Sequence, residues 1–211
     1  MSPARPDLLR DGPAGAPLTV VLAHGAGAPM DSPFMGDVAA RLADAGFAVV
    51  RFEFPYMAKR RNEGSRRPPD RAPILLDCWR DIITDLAPAD RLVIGGKSMG
   101  GRMASLVADE MNVAGLLVFG FPFHAPGKPP GERIAHLATL KTPTLIVQGT
   151  RDTMGTRDEV TDYALSKAIE LLWIEDGDHS LKPRKKSGFT YDEAMETAVD
   201  GAVSFLKRHS A

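Results

Sequence analysis

A chain of 211 residues with 44% hydrophobic content is long enough to bury one substantial core and short for two, so a single domain over 1–211 is expected. Its 26 Lys and Arg against 27 Asp and Glu leave a formal charge of -1, which excludes a protein drawn to nucleic acid or to an anionic membrane by its total charge. The lone cysteine, Cys78, has no partner for an internal disulfide, the opening stretch MSPARPDLLRDGPAGAP is too broken for a secretory signal, and no segment approaches the roughly 18 apolar residues of a membrane span. A cytoplasmic location is expected.

In chain order, residues 1–17 offer at most an irregular terminus or one edge strand turning at RDGPAG. LTVVLAHG then reads as a strand, Phe34 to Ala45 as a helix and FAVVRFEF as a strand, followed by a polar, proline-bearing connection from Pro55 to Pro73. Pro73 to Leu86 has helical periodicity and contains Cys78, which reads as a buried structural thiol because no histidine adjoins it. RLVIGGKS is a strand and Met99 to Met111 a helix; GLLVFGFP is a strand, and Pro122 to Glu132 a second irregular connection. Arg133 to Leu140 and Asp158 to Ala168 read as helices around the strand PTLIVQG, and IELLWIE precedes a closing helix from Tyr191 to Arg208. Continuous apolar runs of this kind are strands buried on both faces, so the fold class is α/β: three layers, a mainly parallel sheet of six or seven strands, helices on both faces and no cap domain.

The join between RLVIGGKS and the following helix carries the first chemical signal. Gly96-Lys97-Ser98-Met99-Gly100 fits G-x-S-x-G in the strand-to-helix setting that motif requires. Such a turn lifts the serine hydroxyl over the sheet edge, and the helix aims its first amides at the same point, making the Met99 N–H a candidate oxyanion donor. A hydroxyl needs a base, and the base needs a carboxylate to hold it. Asp152, after PTLIVQG, and His179, after IELLWIE, supply them in the chain order Ser, acid, His. Asp176 and Asp178 are alternative partners for His179, while His136 and His209 fall in a helix and in the tail. His24 opens HGAGAPMDSPFM and reads as a structural histidine bonded to loop backbone. The same turn offers the Ala26 N–H as second oxyanion donor, with Gly25 and Gly27 allowing close passage to a substrate carbonyl.

HGAG, GKSMGG, GTRD and GDHSL together resemble the α/β-hydrolase superfamily, especially its small dienelactone-hydrolase-like branch that includes the hydrolase-like proteins of chromatin-modifying complexes. The likeness runs from about Leu18 to Arg208. It implies a serine hydrolase with Ser98, Asp152 and His179 in the catalytic roles. Lys97 departs from the His or Tyr common there in esterases and lipases.

Substrate expectations rest on charge. Lys59, Arg60, Arg61, Arg66, Arg67 and Arg71 crowd the first irregular connection, and Lys182, Arg184, Lys185 and Lys186 follow His179. With Lys97 and Arg102 near the nucleophile, and His124 on the second connection, they predict a positive rim suited to a small, anionic ester; solvated loops without a ligand are the alternative. Lys97, Gly25, Gly27, Arg102 and His124 are thus the candidate substrate-binding residues. Thioester or peptide cleavage on the same triad is equally compatible, and a non-catalytic scaffold binding a partner protein is the alternative of a different class. No metal or organic cofactor is expected: ligand spacings are missing, and the G-K-S triplet is no phosphate loop because Arg91 stands where its first glycine belongs. The expected partner is a small molecule, not nucleic acid or membrane, and the sequence leaves the oligomeric state open.

Overall fold

The structure is a computed structural model that describes residues 7–64, 67–86 and 88–210. The strands and helices are β1 (Leu8–Asp11), β2 (Thr19–Ala23), α1 (Pro33–Asp44), β3 (Ala48–Phe52), α2 (Pro55–Glu63), α3 (Ala72–Leu86), β4 (Leu92–Lys97), α4 (Met99–Ser105), α5 (Ala108–Met111), β5 (Gly115–Phe119), β6 (Thr144–Gly149), α6 (Arg157–Thr161), β7 (Ile169–Ile174) and α7 (Tyr191–Arg208). One seven-stranded sheet runs β1-β3-β2-β4-β5-β6-β7, and every pair is parallel except β1 with β3. This is the α/β-hydrolase fold, with helices on both faces and, among the described residues, no cap domain.

Strand alternation sorts the core into two layers. Val21, Ile94, Leu116, Val118 and Ile146 pack with Trp79, Ile82 and Ile83 of α3 and Met103 and Ala104 of α4. Val20, Leu22, Val93, Leu117, Phe119 and Val147 pack on the opposite side with Val38 and Leu42 of α1 and with Met195, Ala198, Ala202 and Phe205 of α7. Trp79 is fully buried and its indole N–H donates to Gly100 O at 3.3 Å, tying α3 to the first turn of α4. Cys78 sits in the same layer, where burial pushes its thiol up to about 12, in keeping with an unreactive structural group.

The extra strand falls within the first seventeen residues, but RDGPAG does not join neighbours: β1 lies antiparallel to β3, on the far side of β3 from β2. The Arg51 guanidinium of β3 holds Asp11 at 2.8 Å across that pair. The connection after Pro55 is a helix where a loop was expected. Pro55 occupies its first turn and Gly64, at φ 65°, closes it in left-handed conformation, while Tyr56 and Met57 are buried. The helix expected over Met99 to Met111 divides into α4 and α5, where the Ser105 hydroxyl donates to Arg102 O at 2.8 Å and competes with the helical pattern. Arg133 to Leu140 is replaced by a 3₁₀ segment, Gly131–Ala138. The helix expected to Ala168 stops at Thr161, and Ser166 N–H instead bonds Leu137 O of that 3₁₀ segment at 2.9 Å. No helix among the described residues is long and apolar enough to cross a membrane.

Candidate active site

Ser98 stands between β4 and α4 with φ 51° and ψ -117°, a conformation costly for a residue with a side chain and tolerated where the surroundings impose it. The surroundings are backbone. A Cβ on Gly96 would lie 2.0 Å from Ala23 O, and one on Gly100 would lie 2.5 Å from the same atom and 2.6 Å from His24 O. β2 and α4 therefore approach too closely for any side chain at those two positions. The tight join leaves the Met99 N–H among the first helical amides, which have no acceptor inside the helix.

The three strand ends converge. His179 Nε2 lies 2.8 Å from Ser98 Oγ, and His179 Nδ1 lies 2.7 Å from Asp152 Oδ2. Asp152 is fully buried, so its carboxyl group is shielded from water and oriented by its partners. Gln148 of β6 donates to the same Oδ2 at 2.9 Å, and Met154 N–H donates to Oδ1 at 2.9 Å. Gln148 is itself held on both sides of Phe121 backbone, accepting from its N–H at 2.7 Å and donating to its carbonyl at 3.2 Å. The other two aspartates are engaged elsewhere. Asp176 accepts from Arg184 at 2.8 Å and from its backbone at 2.7 Å, and the Arg184 guanidinium holds its carboxyl down at about 2. Asp178 Oδ1 accepts the Ser180 and Lys182 amides, closing the turn that presents His179.

The loop after β2 is pinned from behind. His24 Nδ1 donates to Gly25 O at 2.7 Å and the Tyr56 hydroxyl donates to Ala26 O at 3.0 Å. In a trans peptide the N–H points opposite the preceding C=O, so anchoring Gly25 O turns the Ala26 N–H away from these anchors. His24 Nε2 accepts Phe54 N–H at 3.1 Å, and burial lowers its pKa, so the ring is neutral and both nitrogens are occupied by backbone. That is the structural role expected for it. Tyr56 was hidden in a segment read as irregular; its signal is an aromatic directly after Pro55, at the start of a helix. Gln148 had a clearer signal, a lone amide inside an otherwise apolar strand.

Two of the substrate-binding expectations, Lys97 and His124, are corrected by the structure. Lys97 does not face the rim: strand alternation sends its side chain to the α1 layer, where it is 9% exposed, donates to His179 O and lies 5.5 Å from the Phe34 ring centre. Burial brings its pKa down to about 8. His124 is buried, with Nδ1 at 3.0 Å from Ala125 O and Nε2 at 3.5 Å from the Glu159 carboxylate. Its ring is directed into packing against α6. The positive rim is paired in part: Arg61 bonds Glu53 and Asp31, Arg67 bonds Glu63 and Arg184 bonds Asp176, while Arg60 donates to the neutral Arg67 O. Arg66 lies outside the described residues. Gly25 does approach the nucleophile, since a Cβ there would lie 3.7 Å from Ser98 Cβ; at Gly27 it would meet open space. Arg102, one turn along α4 from Ser98, is half-buried, and its Nε is buried without a hydrogen-bond partner. Burial and the neighbouring Arg133 hold its pKa below the ordinary arginine value. A cleft of about 370 Å³ lined by Pro33, Phe34, Ser180, Lys182 and Tyr191 opens beside the His179 turn. No group of three or more potential metal ligands occurs among the described residues.

Residues 16–207 match the family described as alpha/beta hydrolase domain, and the chain belongs to that family. An alpha-beta serine hydrolase homologue from Coxiella burnetii is similar over 92% of this chain and 90% of its own, with 21% identity and a TM-score of 0.70. A serine hydrolase without a lid from Xanthomonas campestris covers 96% of this chain and 88% of its own at 19% identity, TM-score 0.70. Est1E from Butyrivibrio proteoclasticus, solved with ferulic acid bound, covers 97% and 95% at 14% identity, TM-score 0.72. At these identities the likeness is one of fold.

Proposed function

We propose that this chain is a serine hydrolase that cleaves small carboxylic esters through an acyl-enzyme, with Ser98 as nucleophile, His179 as base and Asp152 as the carboxylate that orients it. The observation that carries the reading is the unbroken hydrogen-bond line from Ser98 Oγ through both nitrogens of His179 to buried Asp152. Ser98 Oγ attacks the ester carbonyl as its proton passes to His179 Nε2, forming a tetrahedral oxyanion beside the Met99 and Ala26 amides. Collapse expels the alcohol, which leaves with the proton from His179. Water then attacks the acyl-serine, giving its proton to His179, and the second collapse returns that proton to Ser98 as the acid departs. Asp152 keeps Nδ1 protonated and stabilises the imidazolium without taking the proton.

An anionic substrate group would find Arg102 half-buried one turn along α4 from Ser98, with Arg133 near it and its Nε without a hydrogen-bond partner. The cytoplasm is the proposed location. The test is hydrolysis of a panel of chromogenic esters graded in chain length and charge. Turnover by the wild type and a fall in kcat of about 10³-fold or more in a folded Ser98→Ala variant support it. A few-fold fall, or no turnover of any ester by the wild type, removes it.

A further inference from the structure

We propose that Lys97 is a positioning residue for catalysis: its side chain passes behind the histidine turn, holds the His179 carbonyl, and thereby sets the imidazole between Ser98 and Asp152. The inference rests on the serine-hydrolase reading above and extends it to a residue beyond the triad and the oxyanion amides.

Lys97 is the last residue of β4, immediately before the nucleophile, and pairs with Phe119 of β5. Its Nζ donates to the backbone carbonyl of His179, which comes from the far side of the sheet beyond β7. One side chain thus links the strand that carries the nucleophile to the turn that carries the base. The other turn contacts act on its two shoulders: Asp178 N–H bonds Lys182 O at 3.1 Å and Leu181 N–H bonds Asp178 O at 2.8 Å. Lys97 acts at His179 itself.

The room for this contact is built by a second glycine. Gly120, at φ 66° just after β5, would with a Cβ come within 2.7 Å of both Lys97 Nζ and His179 O, and 3.4 Å from His179 Nδ1. The ammonium therefore sits directly behind the imidazole. Phe34 of α1 covers it on one side, and Gly25 approaches its Cγ on the other. The charged groups that face it are the carboxylates of Asp152, after β6, and Asp178, after β7; the titratable ring of His179 completes the shell.

Such a lysine is an unfavourable choice for stability alone. Burying an ammonium with a single carbonyl bond costs free energy that an apolar side chain of the same length would avoid. The direction of its pKa expresses this cost: the fold disfavours the charged form. The sign follows. The folded value, about 8, lies below the unfolded one, so between about pH 8 and the ordinary lysine value of 10.5 the unfolded chain binds more protons. Stability therefore rises with pH through that window in the wild type, and the charge is carried at a cost below it.

The experiment compares wild type, Lys97→Met and Lys97→Gln for ester hydrolysis and urea unfolding across pH. Lys97→Met is expected to lose about 100-fold in kcat with KM within about threefold, because the base is displaced while the binding surface is kept. Its stability at pH 7 is expected to equal or exceed wild type, and the rise in stability above pH 8 disappears. Lys97→Gln, which keeps an N–H donor, is expected to retain kcat within about tenfold of wild type. The NMR signal of the proton shared by His179 Nδ1 and Asp152 weakens in Lys97→Met and persists in Lys97→Gln. A Lys97→Met enzyme with kcat within threefold of wild type overturns the proposal and leaves the serine-hydrolase reading standing. So does a kcat loss matched by an equal loss of stability in both variants, which marks a purely structural side chain. A wild type with no Ser98-dependent turnover removes both.

Discussion

Two histidine turns meet at the rim of this sheet, and they use the same side chain in opposite ways. After β2, His24 is buried and spends both ring nitrogens on backbone, Gly25 O and Phe54 N–H. After β7, His179 keeps part of its ring exposed and gives one nitrogen to a hydroxyl and the other to a buried carboxylate. An imidazole whose nitrogens both serve backbone is a fixed brace. One poised between a neutral hydroxyl and a fixed negative charge can take up a proton and return it. Partner chemistry, more than residue type or proximity, separates framework from reacting group.

The largest expected effect lies on the His179 side. Asp152→Asn should keep the fold and lower kcat by about 10⁴-fold, because an amide at that site favours the wrong imidazole tautomer; steady-state kinetics on the best ester checks it. On the other side, His24→Leu should appear mainly as lost stability, about 1–3 kcal/mol in urea unfolding, since it leaves the Phe54 N–H without its acceptor and Gly25 O with only the longer bond from the Tyr56 hydroxyl. A kcat collapse in His24→Leu as deep as in Asp152→Asn, with stability unchanged, would erase the distinction between brace and base. Tyr56→Phe sharpens it further. The oxyanion amide remains but its loop loses the bond to Ala26 O, so kcat should fall about tenfold, less than the 10²–10³ of deleting a donor outright. Arg102→Met should be smallest: about a threefold loss in kcat/KM for esters bearing a carboxylate, none for neutral esters, and a loss that shrinks as salt rises.

Much of this rim was legible in the sequence because it is built on strand ends. Six continuous apolar runs announced the parallel strands, and G-x-S-x-G, GTRD and GDHSL followed three of them directly, so a parallel sheet had to bring them to one edge. What stayed hidden depended on side-chain direction and on pairing between distant segments. Lys97 adjoins Ser98 in the chain, yet the period-two alternation of β4 sends it to the opposite layer from the rim. The basic loop looked uncompensated because Glu53 and Asp31, which bond Arg61, lie outside it. The residues from Pro55 to Glu63 looked irregular because their charge masks a helix that only Pro55 and Gly64 announce. Asp152 stood out on paper by its place after a strand, with Asp176 and Asp178 as alternatives; the turn amides and Arg184 that engage the latter two are visible only in three dimensions.

The most direct measurement is covalent capture of the nucleophile. The folded protein is treated with a fluorophosphonate at neutral pH, and the adduct is located by peptide mass spectrometry. One stoichiometric adduct on Ser98 is expected, slowed by at least about 10³-fold in His179→Ala. An adduct on another residue, or labelling of Ser98 that proceeds at the same rate without His179, would contradict it.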